Sequence, residues 1–463
     1  MPKIPIQQPL TFMMVLIFLA IFASMFYSGS RGTYVQAPGQ DTTRVLEYQQ
    51  SSKESLQIFD IPFTVFNAIR KGMEKSSEVI LLVFMAGAAF TVVYETGAPR
   101  QGINWMLWRL RRHKRLILPL TCAIFALGGA LSNMSEEIIA LMIVMLALSR
   151  RLGYDPLIAI AMSFGSAAVG AAFSPVNLFQ VGIAKIIAKD PLGELPVTPS
   201  FGFDGWGLRL VCCMLAVAVW TFCTVRQARK SRIPVDENNS TANNSSLGPR
   251  ETLVILLLFS TFIVLIAGVI FLHWRFDHLS TLFFALGIFA GLIGGLRITE
   301  TANAFVEGFK SMVSVAFLIG VARAIYVILD QERILAPFVE WFSNHVAGTN
   351  SYLNAILMTG FHAVLHLAVP SVTAQAYLTL PVFFANPLAV KHLAVSPEVT
   401  VLTYQYGAGL CDLLTPTSGT LLAILAISGI EYKKWFNFVL PIYIILCCLG
   451  LLAIVYGVTY GVK

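Results

Sequence analysis

Charge is scarce in this chain of 463 residues: only 12% are Asp, Glu, Lys or Arg, about half the share of an average soluble domain. That shortage excludes a soluble, a disordered and a nucleic-acid-binding protein, each of which needs a charged surface. Metal-ligand spacing is missing too. Cys122, Cys212, Cys213, Cys223, Cys411, Cys447 and Cys448 all lie in apolar runs without a CxxC pair, so we read them as small buried residues and expect no transition-metal centre. No nucleophile, base and orienting group recur at usable spacing, which argues against an intramembrane enzyme. No clean small-x-small cleavage site follows the apolar run 11–27, so an uncleaved first span is expected rather than a signal peptide.

Hydrophobic residues, by contrast, make up 56% of the chain, and its mean hydropathy is +0.73. A helix needs roughly 20 apolar residues to cross a bilayer. Single spans are expected at 11–27, 79–96, 206–224, 251–272, 280–296, 311–329 and 435–460. The formal net charge of +7 is then a topology signal, because membrane proteins keep Lys and Arg on cytoplasmic loops. With the amino terminus in the cytoplasm, the basic groups Arg100 to Arg115, Arg150–Arg151, Arg226 to Arg232, Arg297, Lys310 and Lys433–Lys434 all fall on that side. The opposite short loops and the carboxyl terminus carry only Lys189, Arg275, Arg333, Lys391 and Lys463. An inner-membrane protein with its carboxyl terminus outside is expected.

Residues 116–150 are apolar with a polar centre, and Arg115 and Arg150–Arg151 put both ends on the basic side. The segment must enter and leave by one face, as a re-entrant helical hairpin shielded from lipid, since broken backbone at membrane depth needs protein or water around it. Residues 351–388 have the same pattern. The Trp- and Arg-rich segment 103–115 reads as an interfacial helix, and the Asn- and Ser-rich run 238–246 as a flexible linker.

The two halves of the chain repeat one another. GGALSNMSEEIIAL (Gly128 to Leu141) has its counterpart in LAVPSVTAQAYLTL (Leu367 to Leu380), with Ser132 matching Ser371. The interval from Ser135 to Pro175 is close to that from Thr373 to Pro416. Upstream, Ala68 and Gly72 recur as Ala304 and Gly308. The first copy crosses the membrane an even number of times and the extra span 251–272 follows, so the second copy starts outside and the repeats are inverted. Inverted repeats with broken helices meeting near the midplane are the architecture of secondary transporters.

Proline within a helix removes a hydrogen bond and breaks it, so Pro175 and Pro416 mark breaks. Ser174 and Thr415 stand where an N-cap would, with proline at the first helical position. The hairpin tips offer Ser132, Asn133 and Ser135 in one copy and Ser371 and Thr373 in the other. Four helix starts aimed at one region make a binding place for carboxylate or phosphate. Glu136 and Glu137 follow the first tip, Arg323 lies mid-span and Asp412 precedes the second break; charges there are costly and mark function. Arg323 could hold a substrate carboxylate, or neutralise Asp412 or a glutamate. The glutamates could coordinate a cation, carry a proton or receive an amino group. His362 and His366 share a helical face at a spacing that suits zinc, but no third ligand accompanies them; packing or proton carriage are the other readings.

At these residues a family resemblance becomes specific. GGALSNMSEEIIAL, RLGYD (Arg151 to Asp155) and the stretch from Glu398 to Trp435 resemble the YfcC-like branch of the C4-dicarboxylate anaerobic carrier family, within the ion transporter superfamily. The resemblance implies an all-α integral membrane fold, with two inverted repeats, two re-entrant hairpins and two broken helices, working as an elevator in a homodimer. It divides the chain into scaffold 1–110, transport part 111–225, linker 226–250, connecting span and scaffold 251–340, and transport part 341–463. It implies a substrate and coupling-ion site of Ser132, Asn133, Ser135, Glu136, Glu137, Ser174, Asn177, Ser371, Thr373, Thr415, Thr417 and Ser418. The tips here, SNMSEE and SVTAQ, are richer in hydroxyls than the glycine-rich tips of that branch and nearer those of sodium-coupled dicarboxylate carriers. The expectation is a secondary active transporter, not an enzyme, for a small organic anion, coupled to an ion or working by exchange. A dicarboxylate comes first, with antiport of an amino acid, a basic one included, as the alternative and a channel, which the hairpins argue against, as the different class. No cofactor is called for beyond a coupling Na+, near the tips, or H+, and no partner beyond substrate, bilayer and a second copy.

Overall fold

The computed structural model describes residues 31–38, 44–51, 61–99, 101–102, 114–133, 137–182, 206–233, 248–272, 276–346, 350–385 and 395–461, with isolated positions in 11–22 and at 105, 135, 184 and 274. Most of the first span, most of the interfacial segment 103–115, the linker 238–246 and Glu136 lie outside the described residues.

Within 28–78, which hydropathy marks only as a long polar loop, strands β1 (Arg31–Pro38) and β2 (Arg44–Ser51) pair antiparallel, and helix α1 (Ile61–Lys75) follows. The fold therefore carries a small strand pair that an all-α reading omits. The remaining helices are α2 (Ser77–Glu95), α3 (Lys114–Ser132), α4 (Glu137–Arg151), α5 (Pro156–Ile160), α6 (Ser166–Phe173), α7 (Trp206–Lys230), α8 (Pro249–Leu272), α9 (Phe276–Gly294), α10 (Ile298–Gln331), α11 (Leu335–Val346), α12 (Ser351–Ala368), α13 (Val372–Ala385), α14 (Pro397–Gly409), α15 (Gly419–Ser428) and α16 (Tyr432–Tyr460). A π-helical turn, Ala161–Gly165, joins α5 to α6. Among the described residues, α2, the rod from α5 to α6, α7, α9 and α16 are long and apolar enough to cross a membrane. The span expected at 311–329 begins a loop earlier, at Ile298, so that 298–310 is helix.

Local chemistry starts several of these rods. Asp155 accepts from the Leu157 N–H with Pro156 at the first helical position, Ser396 caps α14 in the same way before Pro397, and Asn350 caps α12.

Helix direction follows from how contacts advance. Ala126 meets Gly170, and the Ser174 hydroxyl donates to the Ala130 carbonyl at 2.6 Å, so α3 and α6 run parallel. The intervening α4 runs the other way, against α2 and α15. In the second half Gly407 meets His362, Cys411 lies 3.8 Å from the Ala363 carbonyl and Thr417 donates to Leu367, so α12 and α14 are parallel and α13 is the return. Between halves the order reverses. Gln405 reaches Ser174, the Phe173 and Tyr406 rings meet tilted with centroids 4.7 Å apart, and Gly409 meets Ala172, so α6 and α14 cross antiparallel. Gly72 lies against Gly320 and Ala324, while Gly308 lies against Ala88: the reciprocal contact, again antiparallel.

In the rod from α5 to α6, 94% of the residues are buried, against 33% in the apolar stretches of α7 and α16, and so the rod occupies the centre. The first arm, however, is not buried all round: Leu116, Leu120, Ile124 and Leu127 form an exposed apolar stripe on α3. An intact helix satisfies its own backbone, so only the broken tip needs cover. Loops distant in sequence meet in two groups. Lys434 meets Asp155 at 2.6 Å, the Ile233 N–H donates to Gly153, and Gln101 donates to Glu251 at 3.0 Å. Tyr352 and Thr459 meet elsewhere, beside the start of α12.

Candidate functional site

Both proline breaks are interruptions of buried helices, and their polar side chains turn inward. At the first, Ser174 and Asn177 are fully buried. Ser174 accepts from the Val176 N–H at 3.0 Å while donating to Ala130. Asn177 donates to the Gly129 carbonyl at 3.2 Å and accepts from the Gln180 N–H at 3.1 Å. At the second, Thr415, Thr417 and Ser418 are buried; Thr417 donates to Leu367 at 3.0 Å and Ser418 accepts from the Leu421 N–H at 3.3 Å. Each break is thus fastened to the end of the hairpin arm beside it, α3 or α12.

This arrangement moves the caps from the positions expected. The residues that cap the new half-helices are Asn177 and Ser418, each two places after its proline, not Ser174 and Thr415. The chain needs the intervening residues to turn before helical bonding resumes, as a π-helical turn at Leu178–Gly182 and as α15.

The hairpin tips lie beside the breaks. Asn133 ends α3 in a left-handed conformation, φ 53°, and accepts from Gln180 at 3.2 Å. Ser371 caps α13 through the Ala374 N–H at 3.3 Å, and Thr373 lies in the first turn of that helix. Ser132 closes α3 and Glu137 opens α4; Ser135 lies in the turn between them. The half-helix after the first break packs on the second hairpin, Val181 clustering with Val372 and Ala376, whereas α15 packs on α4 of the first.

The charged residues distribute differently from the pairing considered above. Asp412 sits 3.0 Å from His366 Nε2, so its partner is the histidine and not Arg323. Arg323 stands one turn from Ile319, which touches Gly419 at the start of α15. Its guanidinium lies 4.6 Å from the Tyr326 ring centroid, and its Nε has no hydrogen-bond partner among the described residues. No group of three or more His, Cys, Asp or Glu suits a metal among the described residues.

Sequence reasoning missed the link at the centre. Arg209, fully buried, donates to Gln405 Oε1, and Gln405 Nε2 donates to the Ser174 carbonyl at 2.7 Å. Arg209 opens a span and looks like an ordinary flanking cation; the α6 to α14 crossing brings Gln405 to it. Gln405→Leu is expected to lower stability by about 3 kcal/mol, since two buried groups each lose a bond worth roughly 1–3 kcal/mol. Thermal unfolding of the purified protein in detergent measures it.

The sequence profile of the C4-dicarboxylate anaerobic carriers, DcuC, matches residues 8–459. The chain belongs to this family. Among curated relatives of the chain, a protein of Escherichia coli K12 provisionally named basic amino acid antiporter YfcC is 28% identical over 395 residues, 80% of this chain and 76% of that protein. A protein of Haemophilus influenzae Rd without an assigned function is 26% identical over 426 residues, 89% of this chain and 81% of that one. Among solved structures, MtrF of Neisseria gonorrhoeae, described within a class of antimetabolite efflux pumps, aligns over 96% of this chain and 94% of its own at a TM-score of 0.45 and 16% identity. By its family profile and its apolar helices the protein is a helical membrane protein of a transporter family.

Proposed function

We propose that this carrier is a secondary active transporter of the inner membrane for a small carboxylate-bearing metabolite of C4-dicarboxylate type, driven by H+ or Na+ or by exchange. The observation that carries the reading is the antiparallel crossing of α6 and α14, each leading into a proline break whose new half-helix starts at a buried cap, Asn177 or Ser418. Helix starts present free N–H groups and partial positive charge, which suit a carboxylate. Arg323, on α10 beside the start of α15, is placed to hold a second carboxylate. Parallel packing within each half and antiparallel packing between halves support inverted repeats with two re-entrant hairpins. In this reading α1, α2 and α8 to α10 form the scaffold of a homodimer, and the hairpins with the broken helices move past it. The loop cluster around Asp155, Arg232 and Lys434 is then the cytoplasmic end.

A second reading keeps the fold and changes the cargo to a basic amino acid. The name of the Escherichia coli relative favours it, with Glu136 and Glu137 as partners for amino groups. Thermal unfolding with succinate, fumarate, arginine and ornithine, with and without Na+, followed by uptake into proteoliposomes, separates the two. The expected result is a saturable rise in unfolding temperature with dicarboxylates; silence of every carboxylate and amino acid in both assays would remove the proposal.

A further inference from the structure

Beside the second break runs a chain of polar side chains that the substrate site leaves unused. Gln375, fully buried on α13, donates from Nε2 to the His362 carbonyl at 2.7 Å and lies 3.1 Å from His362 Nδ1. Its Oε1 lies 3.2 Å from His366 Nδ1, and His366 Nε2 lies 3.0 Å from Asp412 Oδ1. The orientation of the amide is fixed by its surroundings. Turned over, it would set Oε1 against the His362 carbonyl oxygen, two acceptors facing one another. His366 Nδ1 must therefore carry a hydrogen and donate it to Gln375. A hydrogen bond between Nε2 and Asp412 then needs one proton more, held as imidazolium with carboxylate or as imidazole with carboxylic acid.

We propose that His366 and Asp412 form a proton-binding site whose occupancy latches the hairpin arm α12 to the turn before Pro416. With the proton bound, the contact is a charge-assisted hydrogen bond in a buried setting. When the proton leaves to water, the Nε2 lone pair faces the carboxylate and the contact opens; no other bond changes. The exit is on the aspartate side, because the Asp412 side chain is 21% exposed and the His366 side chain 0%. The latch spans the joint that matters, since α12 ends at Ala368 and Thr417 of the break already holds the Leu367 carbonyl. It rests on the transport reading only in what it controls; the proton site stands apart from it.

Among the described residues, the groups around the pair are few. On α12 itself there is His362, whose Nδ1 faces Gln375, whose Nε2 has no hydrogen-bond partner among the described residues, and whose ring edges meet Phe383 and Tyr404. From α14 comes Tyr404, whose hydroxyl donates to Val372, and next to Asp412 is Cys411, in contact with Tyr443 of α16. From α10 come Arg323 and Tyr326, which face each other, and α11 turns Val339 and Phe342 toward α12.

Amide hydrogen exchange of the full-length protein in lipid nanodiscs, at pH 6 and pH 9 and corrected for intrinsic rates, tests the site without any substrate. Peptides covering 363–372 and 410–418 of the wild type are expected to lose protection about tenfold or more as pH rises, the scale of one hydrogen bond to a charged group. Asp412→Asn, whose amide donates to Nε2 at every pH, is expected to stay protected at both. Protection that is independent of pH in the wild type, or an Asp412→Asn variant that follows the wild type, would overturn the proposal. The comparison needs only those two folded proteins. A failure to find a transported substrate would not alter it, and its failure would leave the transport reading standing.

Discussion

Asn177→Ala and Ser418→Ala are each expected to erase most of the thermal shift that a bound C4 dicarboxylate gives the wild type. Both residues start a half-helix, and Asn177 also ties that start to Gly129 of the hairpin arm. Losing a cap costs about 1 kcal/mol of stability, so either variant should still fold. Binding suffers more, because the N–H groups that meet a carboxylate lose the orientation the cap imposes. Ligand at 100 times its dissociation constant stabilises the wild type by about 2.7 kcal/mol; a hundredfold weaker affinity at the same concentration leaves roughly 0.4 kcal/mol. Ser260→Ala, on the exposed face of α8, should leave the shift intact. Equal shifts in the cap variants and the wild type would place the ligand elsewhere.

Gly308→Leu and Gly72→Leu are expected to fail alike, although they lie in different halves of the chain. A side chain at Gly308 would enter the backbone at Ala88, and one at Gly72 would enter the backbone at Gly320 and Ala324. Overpacking a core ordinarily costs about 1–3 kcal/mol. Here the obstacle is backbone rather than a movable side chain, so the loss should reach about 3 kcal/mol or more at either site. Folded protein recovered after detergent extraction and its unfolding temperature measure the effect, with the Ala variants intermediate. A Gly308→Leu protein as stable as the wild type would mean that α2 and α10 do not cross there.

Several parts of this molecule are legible in the sequence because their causes are local. Proline in an apolar helix announces a break wherever it stands, and Pro175 and Pro416 do so here. The sequence points to caps too early, at Ser174 and Thr415, because a serine or threonine before proline is a local signal, whereas the turn that carries the chain on to Asn177 and Ser418 depends on the arm it is fastened to. Asp412 and His366 illustrate the opposite case. They are far apart in sequence, and neither carries a pattern that names the other; only the parallel packing of α12 and α14 brings them together. Arg209 and Gln405 meet for the same reason, across the crossing of the two halves. The strand pair Arg31–Pro38 and Arg44–Ser51 escapes a hydropathy reading because it lies in a polar segment where no apolar face sets its register.

The most direct test of the central claim is the sidedness of the hairpin ends. Single cysteines at Lys114→Cys, Arg151→Cys, Ser351→Cys and Val395→Cys, in a variant whose seven native cysteines are replaced, would be labelled in oriented vesicles with a membrane-impermeant maleimide. Labelling of the first two from the cytoplasmic face and the last two from the opposite face is the predicted result. Labelling of Lys114→Cys and Arg151→Cys from opposite faces would contradict it.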